Sequence, residues 1–542
     1  GSSGSGSRLT LLYKSGSSVL GSVVTVDTAA SLADITITNT TTITAQYVKV
    51  ETVTISGGDD GVLMRDGEAV SDNSVTLQVP VGEKLPDGYT FTPKEGYDFD
   101  VLERKTQASI INVSAGESHT VVLMSNGTVW ACGNNSYGQS GGETKNDVIK
   151  FVQMKDSDGS ISDATAVSAG SGYTVILRKD GTVWACGRND YGQLSNNSKK
   201  DSSTFVQMQY SSDSGTAAVT DVAAIAAGGS HTVILKKDGT VWACGLNDHG
   251  QLGDGSTVNR TALVPMKDSS GNAMKGVTAI ATGLYHTVIL KNDGTVWACG
   301  WNNYGQLGNG STTASSTFVQ MQYSSGYSTT ATPVTDATAI AAGSNHTVIL
   351  RDGAAWACGS NNFYQLGNDA QTVKSGSTFV QMKDSNGSIT DATAIAAGSN
   401  HTVVLRAGGT AWTCGNSQEG PLGLGSTLPT PKLLQMKDST GNTIANATAI
   451  AAGAYHTIVL RADGMLWACG RNYDGQLGNG ESGNTKSTLV LSGEGVLDSV
   501  YTITTADSLS DITVDDNMTL TAQWFMVGDV TGTKTVEIRD LV

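Results

Sequence analysis

The chain has 542 residues, of which 66 are glycine, 7 are cysteine and only 15% are charged; this excludes a coiled coil and suits an all-β protein with many turns. The formal net charge of −16 disfavours nucleic acid and anionic membrane as partners, since both need a basic face. No apolar run approaches the roughly 18 residues of a membrane span, and an odd number of widely spaced cysteines excludes a small disulfide-stapled scaffold.

Residues 1–8, opening GSSGSG, read as an expression scar, so the ends of the chain are expected to be artificial. Next, VLGSVVTVDTAASLADITITNTTTITAQY (19–47) aligns without a gap to VLDSVYTITTADSLSDITVDDNMTLTAQW (496–524). Alternating Val, Ile and Thr positions predict strands in both. Between the two copies, and ahead of residue 107, lies SVTLQVPVGEKLPDGYTFTPKEGYDFD (74–100). These segments resemble the halves of internalin-type B-repeats, small β-rich modules of bacterial surface proteins. The resemblance implies a truncated module at 9–47 and a second module, 48–106 plus 494–526, split by an insertion. Insertion is cheap when the ends of the insert lie close together.

The insert, residues 107–493, is a repeat. Tryptophans 130, 184, 242, 297, 356, 412 and 467 fall 54 to 59 residues apart, and around each runs one pattern. It reads ATAIAAG (337–343), HTVIL, an Asp-Gly turn, TVWACG, a loop such as WNNYGQLGNGS (301–311), and TFVQM (317–321). Four apolar runs separated by turn residues predict four strands, and Asp-Gly between two of them is a hairpin signal. Four antiparallel strands repeated seven times predict an all-β, seven-bladed β-propeller. The pattern in GGSHTVILKKDGTVWACGLNDHGQLG (228–253) resembles the regulator-of-chromosome-condensation repeat family. That resemblance also implies a seven-bladed propeller. The family's nuclear exchange activity belongs to a branch with basic tails, and this acidic chain is not expected to share it.

Repetition filters the candidate sites, because an active site in a ring breaks its symmetry. His119, His231, His286, His346, His401 and His456 share one position, with Tyr173 at the seventh; each is expected to be half-buried and to tie down its own loop. Asp180, Asp238, Asp293, Asp352 and Asp463 precede turn glycines, which is ordinary turn chemistry. The Gly-Gln-Leu-Gly glycines open no predicted helix and fail as a dinucleotide fingerprint. Cys132, Cys186, Cys244, Cys299, Cys358, Cys414 and Cys469 hold one strand position, too far apart in seven-fold geometry for disulfides or zinc. They are expected to be free, buried thiols.

The repeats differ at two places on one loop-rich face: after WACG or its variant, and in the two residues before the His. There the candidate ligand-binding residues are Tyr285, Trp301, Tyr304, Arg188, Arg471, Glu117 and Tyr455; aromatics and Arg are common interface anchors. The alternative reading is that Tyr285 and Trp301 pack under the long loop of their own blade. Glu117 and Glu419 are non-repeating acids several blades apart, so no catalytic pair is expected. The expected function is a non-catalytic binding or adhesion module of a secreted or cell-surface bacterial protein. Its partner would be a protein or a glycan, and the chain a monomer, with no cofactor, no metal and no transmembrane segment. A carbohydrate-active enzyme and a structural spacer are the alternatives. Residues 527–542 resemble a truncated dockerin calcium loop, with Asp529 and Asp540 in ligand positions. Thr531, Thr533 and Lys534 depart from that pattern, and calcium is not expected.

Overall fold

The computed structural model describes residues 108–493, apart from 143, 158, 213–214, 324–330, 371–373 and 463. Outside this stretch it describes 9–12, 23–26, 44–46, 50–56, 61–66, 68–80, 89–93, 97–106, 499–503 and 518–526. The dockerin-like tail lies outside the described residues. Two compact units emerge: Ser109–Leu497, and residues 1–108 together with 498–542. Among the described residues only Ser71–Asn73 is helical, as a single 3-10 turn.

Ser109–Leu497 is a ring of seven blades, each an antiparallel sheet whose four strands pair in chain order. Blade one runs Ile110–Ala115, His119–Met124, Val129–Gly133 and Val148–Gln153. Blades two to six begin at Ala164, Val222, Val277, Ala337 and Ala392. Blade seven closes the ring with Ala447–Ala452, His456–Arg461, Leu466–Asn472 and Asn484–Ser492. Blades three and five each gain a hairpin at the outer edge, where Tyr210 pairs with Leu263 and Tyr323 with Phe379 in parallel.

Both faces of a blade are covered by neighbours, so the second strands are buried almost throughout rather than alternating. His119–Met124 is buried at every position. The cores lie between blades. One of them joins Val241 and Met266 of blade three to Ile289, Cys299 and Phe318 of blade four. First strands converge on the axis and are mostly rich in Ala, as in Ala337–Ala342 and Ala392–Ala397. Gly116 ends the first of them, where a Cβ would lie 2.5 Å from the Gly170 carbonyl and 2.6 Å from the His119 ring; no side chain fits there.

The octapeptide DGTVWACG is a turn followed by two anchors. Asp238 accepts hydrogen bonds from the Thr240 amide and hydroxyl, at 2.9 and 2.6 Å. Thr240 Oγ1 in turn accepts the indole N–H of Trp242 at 3.3 Å. The same relay joins Asp180, Thr182 and Trp184, and Asp293, Thr295 and Trp297. These two hydrogen bonds from Thr hold the three carboxyls below their ordinary range. Blades five and seven carry Ala354 and Met465 where Thr would stand, and the Trp356 and Trp467 indole nitrogens are unpaired.

All seven cysteines are free and buried. Each thiol points at a loop carbonyl of the preceding blade, for example Cys299 at Gln251 O, 3.7 Å away. A Cβ on Gly253 would lie 3.0 Å from the Cys299 sulfur, so the loop that abuts this thiol carries glycine. Burial pushes every thiol pKa up.

The repeated imidazoles are fully buried, and they tie blade to blade rather than their own loop. His119 Nε2 meets Thr174 Oγ1 of the next blade at 3.0 Å, and the pattern continues through His231–Thr287, His286–Thr347, His346–Thr402 and His401–Thr457. His456 closes the circle on Thr120 at 3.0 Å. Each Thr hydroxyl spends its one hydrogen on a loop carbonyl, as in Thr120 to Gln476 O at 2.7 Å and Thr287 to Gln251 O at 2.7 Å. The imidazole must therefore donate from Nε2, and burial, which lowers its pKa, keeps it neutral near pH 7. In blade two the Tyr173 hydroxyl does the bridging, donating to the His231 carbonyl at 2.6 Å.

The second unit holds a five-stranded sheet ordered 499–503, 97–106, 518–526, 50–56, 74–80. Tyr97–Thr106 runs antiparallel to both Ser499–Ile503 and Met518–Met526, with Phe99 opposite Trp524. Val50–Ser56 runs parallel to Met518–Met526, with Ile55 opposite Leu520. Chain from both sides of the ring thus shares one sheet. A three-stranded sheet places Leu9–Leu12 between Val23–Val26 and Thr44–Gln46. In the gapless alignment those two flanking strands correspond to residues 500–503 and 521–523, which flank Tyr97–Thr106 in the same way.

Three outcomes are expected. Native protein reacts slowly with a small thiol reagent, and all seven thiols become reactive together on unfolding; fast labelling of any one would place it outside the core. Met465→Thr gives the Trp467 indole an acceptor and raises unfolding free energy by about 0.5–1.5 kcal/mol, read by denaturant titration. Burial lowers the pKa of His119, His231 and His346 from 6.5 to about 4. Burial, aided by neighbouring imidazoles, lowers that of His286, His401 and His456 to about 3. Unfolded imidazoles bind protons first, so stability is complete above about pH 6.5 and falls toward pH 4. The loss is about 1.4 kcal/mol per pH unit for each imidazole. Unfolding midpoints that stay flat between about pH 7 and 5 would contradict this linkage.

Candidate binding face

Both variable positions of the repeat lie on one face, and the backbone joins them. In every blade the residue after the third-strand glycine donates its N–H to the carbonyl of the residue before the His position. Examples are Trp301 to Tyr285 O at 2.9 Å, Arg471 to Tyr455 O at 2.9 Å and Arg188 to Gly172 O at 2.8 Å. The bond fixes the main chain and leaves both side chains free to vary.

Three rings meet across the seam of blades three and four. Trp301 lies 3.9 Å from His249, edge to face at 79°, and 5.7 Å from Tyr285; His249 and Tyr285 are 5.3 Å apart. All three are half-buried. Tyr285 and Trp301 therefore pack against the preceding blade as well as each other. The Trp301 indole nitrogen is buried without a partner. Burial lowers the His249 pKa, against a smaller opposite effect of Asp248.

Sequence reasoning passes over His249. It stands where Tyr137, Tyr191 and Tyr304 stand in other blades, so a break in a repeated aromatic position is the available signal. The same seam contact recurs elsewhere with different chemistry. Arg188 lies 5.4 Å above the Tyr137 ring of the preceding blade and pairs with Asp190 at 2.7 Å. Asn134 of blade one reaches Asp474 of blade seven at 3.4 Å.

Arg471 sits over two rings of its own blade, 5.7 Å from Tyr455 and 5.2 Å from Tyr473. Tyr304 is exposed and is not one of the rings packed on Trp301; its amide is held by Gln306 Oε1 at 3.1 Å. Tyr455 and Glu117 line a central cavity of about 320 Å³, bounded by the ends of all seven first strands. Backbone bonds between blades knit its wall, including Glu117 N to Gly170 O at 3.3 Å and Ala454 N to Gly116 O at 3.1 Å. Glu117 is exposed. Of the seven candidate residues, Glu117 and Tyr455 line the cavity; Arg471 lies over Tyr455, Tyr285 and Trp301 pack together, Arg188 lies over Tyr137, and Tyr304 is exposed. Among the described residues no group of three or more His, Cys, Asp or Glu could hold a metal. None of their helices is long and apolar enough to cross a membrane.

Comparison with known proteins agrees with the repeat. The family profile described as the RCC1-like domain matches residues 50–383, more than half of the chain. Profiles of the regulator of chromosome condensation (RCC1) repeat match 392–420, 447–476 and 408–460. The chain belongs to the RCC1-like domain family. This RCC1-like chain is 27% identical over 376 residues to the ultraviolet-B receptor UVR8 of Arabidopsis thaliana, covering 69% of this chain and 79% of the receptor. It is 32% identical over 216 residues to the human E3 ubiquitin-protein ligase HERC2, covering 40% of this chain but only 4% of the ligase. The solved structure of Prp20p from Saccharomyces cerevisiae matches with a TM-score of 0.52 at 20% identity, covering 68% of this chain and 93% of that one.

Coupling across the seam is measurable. A double-mutant cycle on His249→Ala and Trp301→Ala is expected to give about 0.5–1.5 kcal/mol in unfolding free energy. Additive single effects would mean that the two rings contribute independently.

Proposed function

We propose that this RCC1-like propeller is a non-catalytic binding module that presents the His249, Tyr285 and Trp301 face to a protein partner. The observation that carries the reading is the ring cluster itself, sited where the repeat breaks and only half-buried. Aromatic and Arg side chains are enriched at protein interfaces and concentrate their binding energy. Arg188, Arg471, Tyr304 and Tyr455 extend the same composition around the face.

The relatives support a binding role. Prp20p is described with binding properties to Gsp1p and histones, and UVR8 is a receptor. A glycan-hydrolysing alternative needs two carboxyls flanking a bond, whereas Glu117 is the single acid among the residues around the cavity. The flanking sheets, with their B-repeat-like sequence, fit a bacterial cell-surface or secreted setting in which residues 48–106 and 494–526 form one module carrying the ring. In that setting the face serves adhesion.

The test is a capture screen with the full chain against candidate proteins and a glycan array, repeated with Trp301→Ala and Tyr285→Ala. A protein ligand whose affinity falls about tenfold or more in each variant, the scale of a hot spot, is expected. Binding untouched by both variants would move the site off this face. Retention on glycans alone would exchange the protein partner for a carbohydrate.

A further inference from the structure

The cavity at the centre of the ring is asymmetric in charge. At the position after the first-strand glycine, the seven blades carry Glu117, Ser171, Gly229, Leu284, Ser344, Ser399 and Ala454. All seven line the cavity, and Glu117 is the one charged residue among those that do. No Lys, Arg or His of the wall neutralises it. The remaining polar wall is hydroxyl and amide, with Ser344 and Ser399 bonded to each other at 2.8 Å. The apolar part comes from the first-strand alanines and from Leu284, three blades round from Glu117.

We propose that the cavity receives one Lys or Arg side chain of the protein partner, with Glu117 as its counter-charge; this rests on the reading of the face as a protein-binding surface. Three features of the wall select that chemistry. A carboxylate enclosed by a docked partner is costly unless a cation is paired with it, which disfavours an acidic or neutral insert. Lys and Arg carry a long aliphatic stem below a charged head, matching an alanine and leucine wall with an acid at one edge. Their N–H groups are donors only, and the serine and asparagine oxygens around the mouth can accept those that Glu117 does not. A cavity of about 320 Å³ admits one such side chain and excludes a folded segment.

The experiment uses ligand-observed saturation-transfer NMR on the full chain. The probes are Nα-acetyl-L-arginine amide, Nα-acetyl-L-lysine amide and, as the neutral control, Nα-acetyl-L-norleucine amide. At least one cationic probe is expected to bind and the norleucine probe not. Glu117→Gln is expected to weaken binding about tenfold, as loss of a charge-assisted contact, and added salt to weaken it in the parent protein. Asp352→Asn removes an exposed carboxylate from a hairpin on the opposite face, where Asn-Gly keeps the turn, and is expected to leave binding unchanged. No binding of either cation, equal binding of norleucine, or an unchanged affinity in Glu117→Gln would overturn the proposal. The thermal midpoint of Glu117→Gln, expected to match the parent, separates lost contact from lost fold. Failure here with a protein partner still captured through Trp301 and Tyr285 sinks the cavity proposal alone. Failure of both sinks the binding face.

Discussion

The fold depends on a proton count. A Thr hydroxyl has one hydrogen, and in every blade it goes to the loop carbonyl of the preceding blade, as in Thr402 to Gln365 O at 2.7 Å. The oxygen can then only accept, so the imidazole behind it must donate from Nε2 and cannot be an acceptor there. One short relay therefore fixes loop, strand and neighbouring blade together. Repeated round the circle, it closes blade seven on blade one without exchanging a strand between them, through His456, Thr120 and Gln476. Blade two shows what the seam requires. Tyr173 replaces the imidazole with a longer arm and still bridges to blade three. The chemistry can change provided the span is kept.

That relay explains why so much of the architecture is legible in the sequence. Period, strand number and blade number follow from residues that recur from blade to blade: the turn Asp in five of them, the Thr that holds the indole in five, and the Cys beside a loop carbonyl in all seven. A repeated requirement leaves a repeated letter. Whatever joins one repeat to the next stays hidden. Alignment of repeats stacks equivalent positions on each other, but His119 touches Thr174 and Trp301 touches His249, pairs that stand at different positions of different repeats. Sequence alone thus makes the imidazoles local ties, whereas they are seams. His249 escapes notice because its position is filled by Tyr in several blades and looks like scaffold.

The same logic separates stability from recognition on the binding face. Each face loop is pinned by a backbone bond from the residue after the third-strand glycine to the residue before the His position. A backbone bond makes no demand on side chains, apart from excluding proline at the donor. The positions are consequently rigid in path and free in composition, the combination that lets a scaffold carry a site. Trp, Arg, Leu, Asn and Ser all occupy the donor position without disturbing the blade.

Freedom of composition is also why symmetry is informative at the hub. Seven strand ends crowd round one axis, where Gly116 has no room for a Cβ, and small residues are imposed on most of the wall by packing. A carboxylate needs no such place. Glu117 sits one residue beyond the crowded glycine, at the level where the wall opens to solvent, so packing neither requires nor forbids it. The other blades fill the position with Ser, Gly, Ala or Leu, which satisfies the fold at no electrostatic cost. The charge at one point of the rim is thus unexplained by the ring's own stability, whereas the seven cysteines and six imidazoles, the more chemical residues by type, are fully accounted for by it.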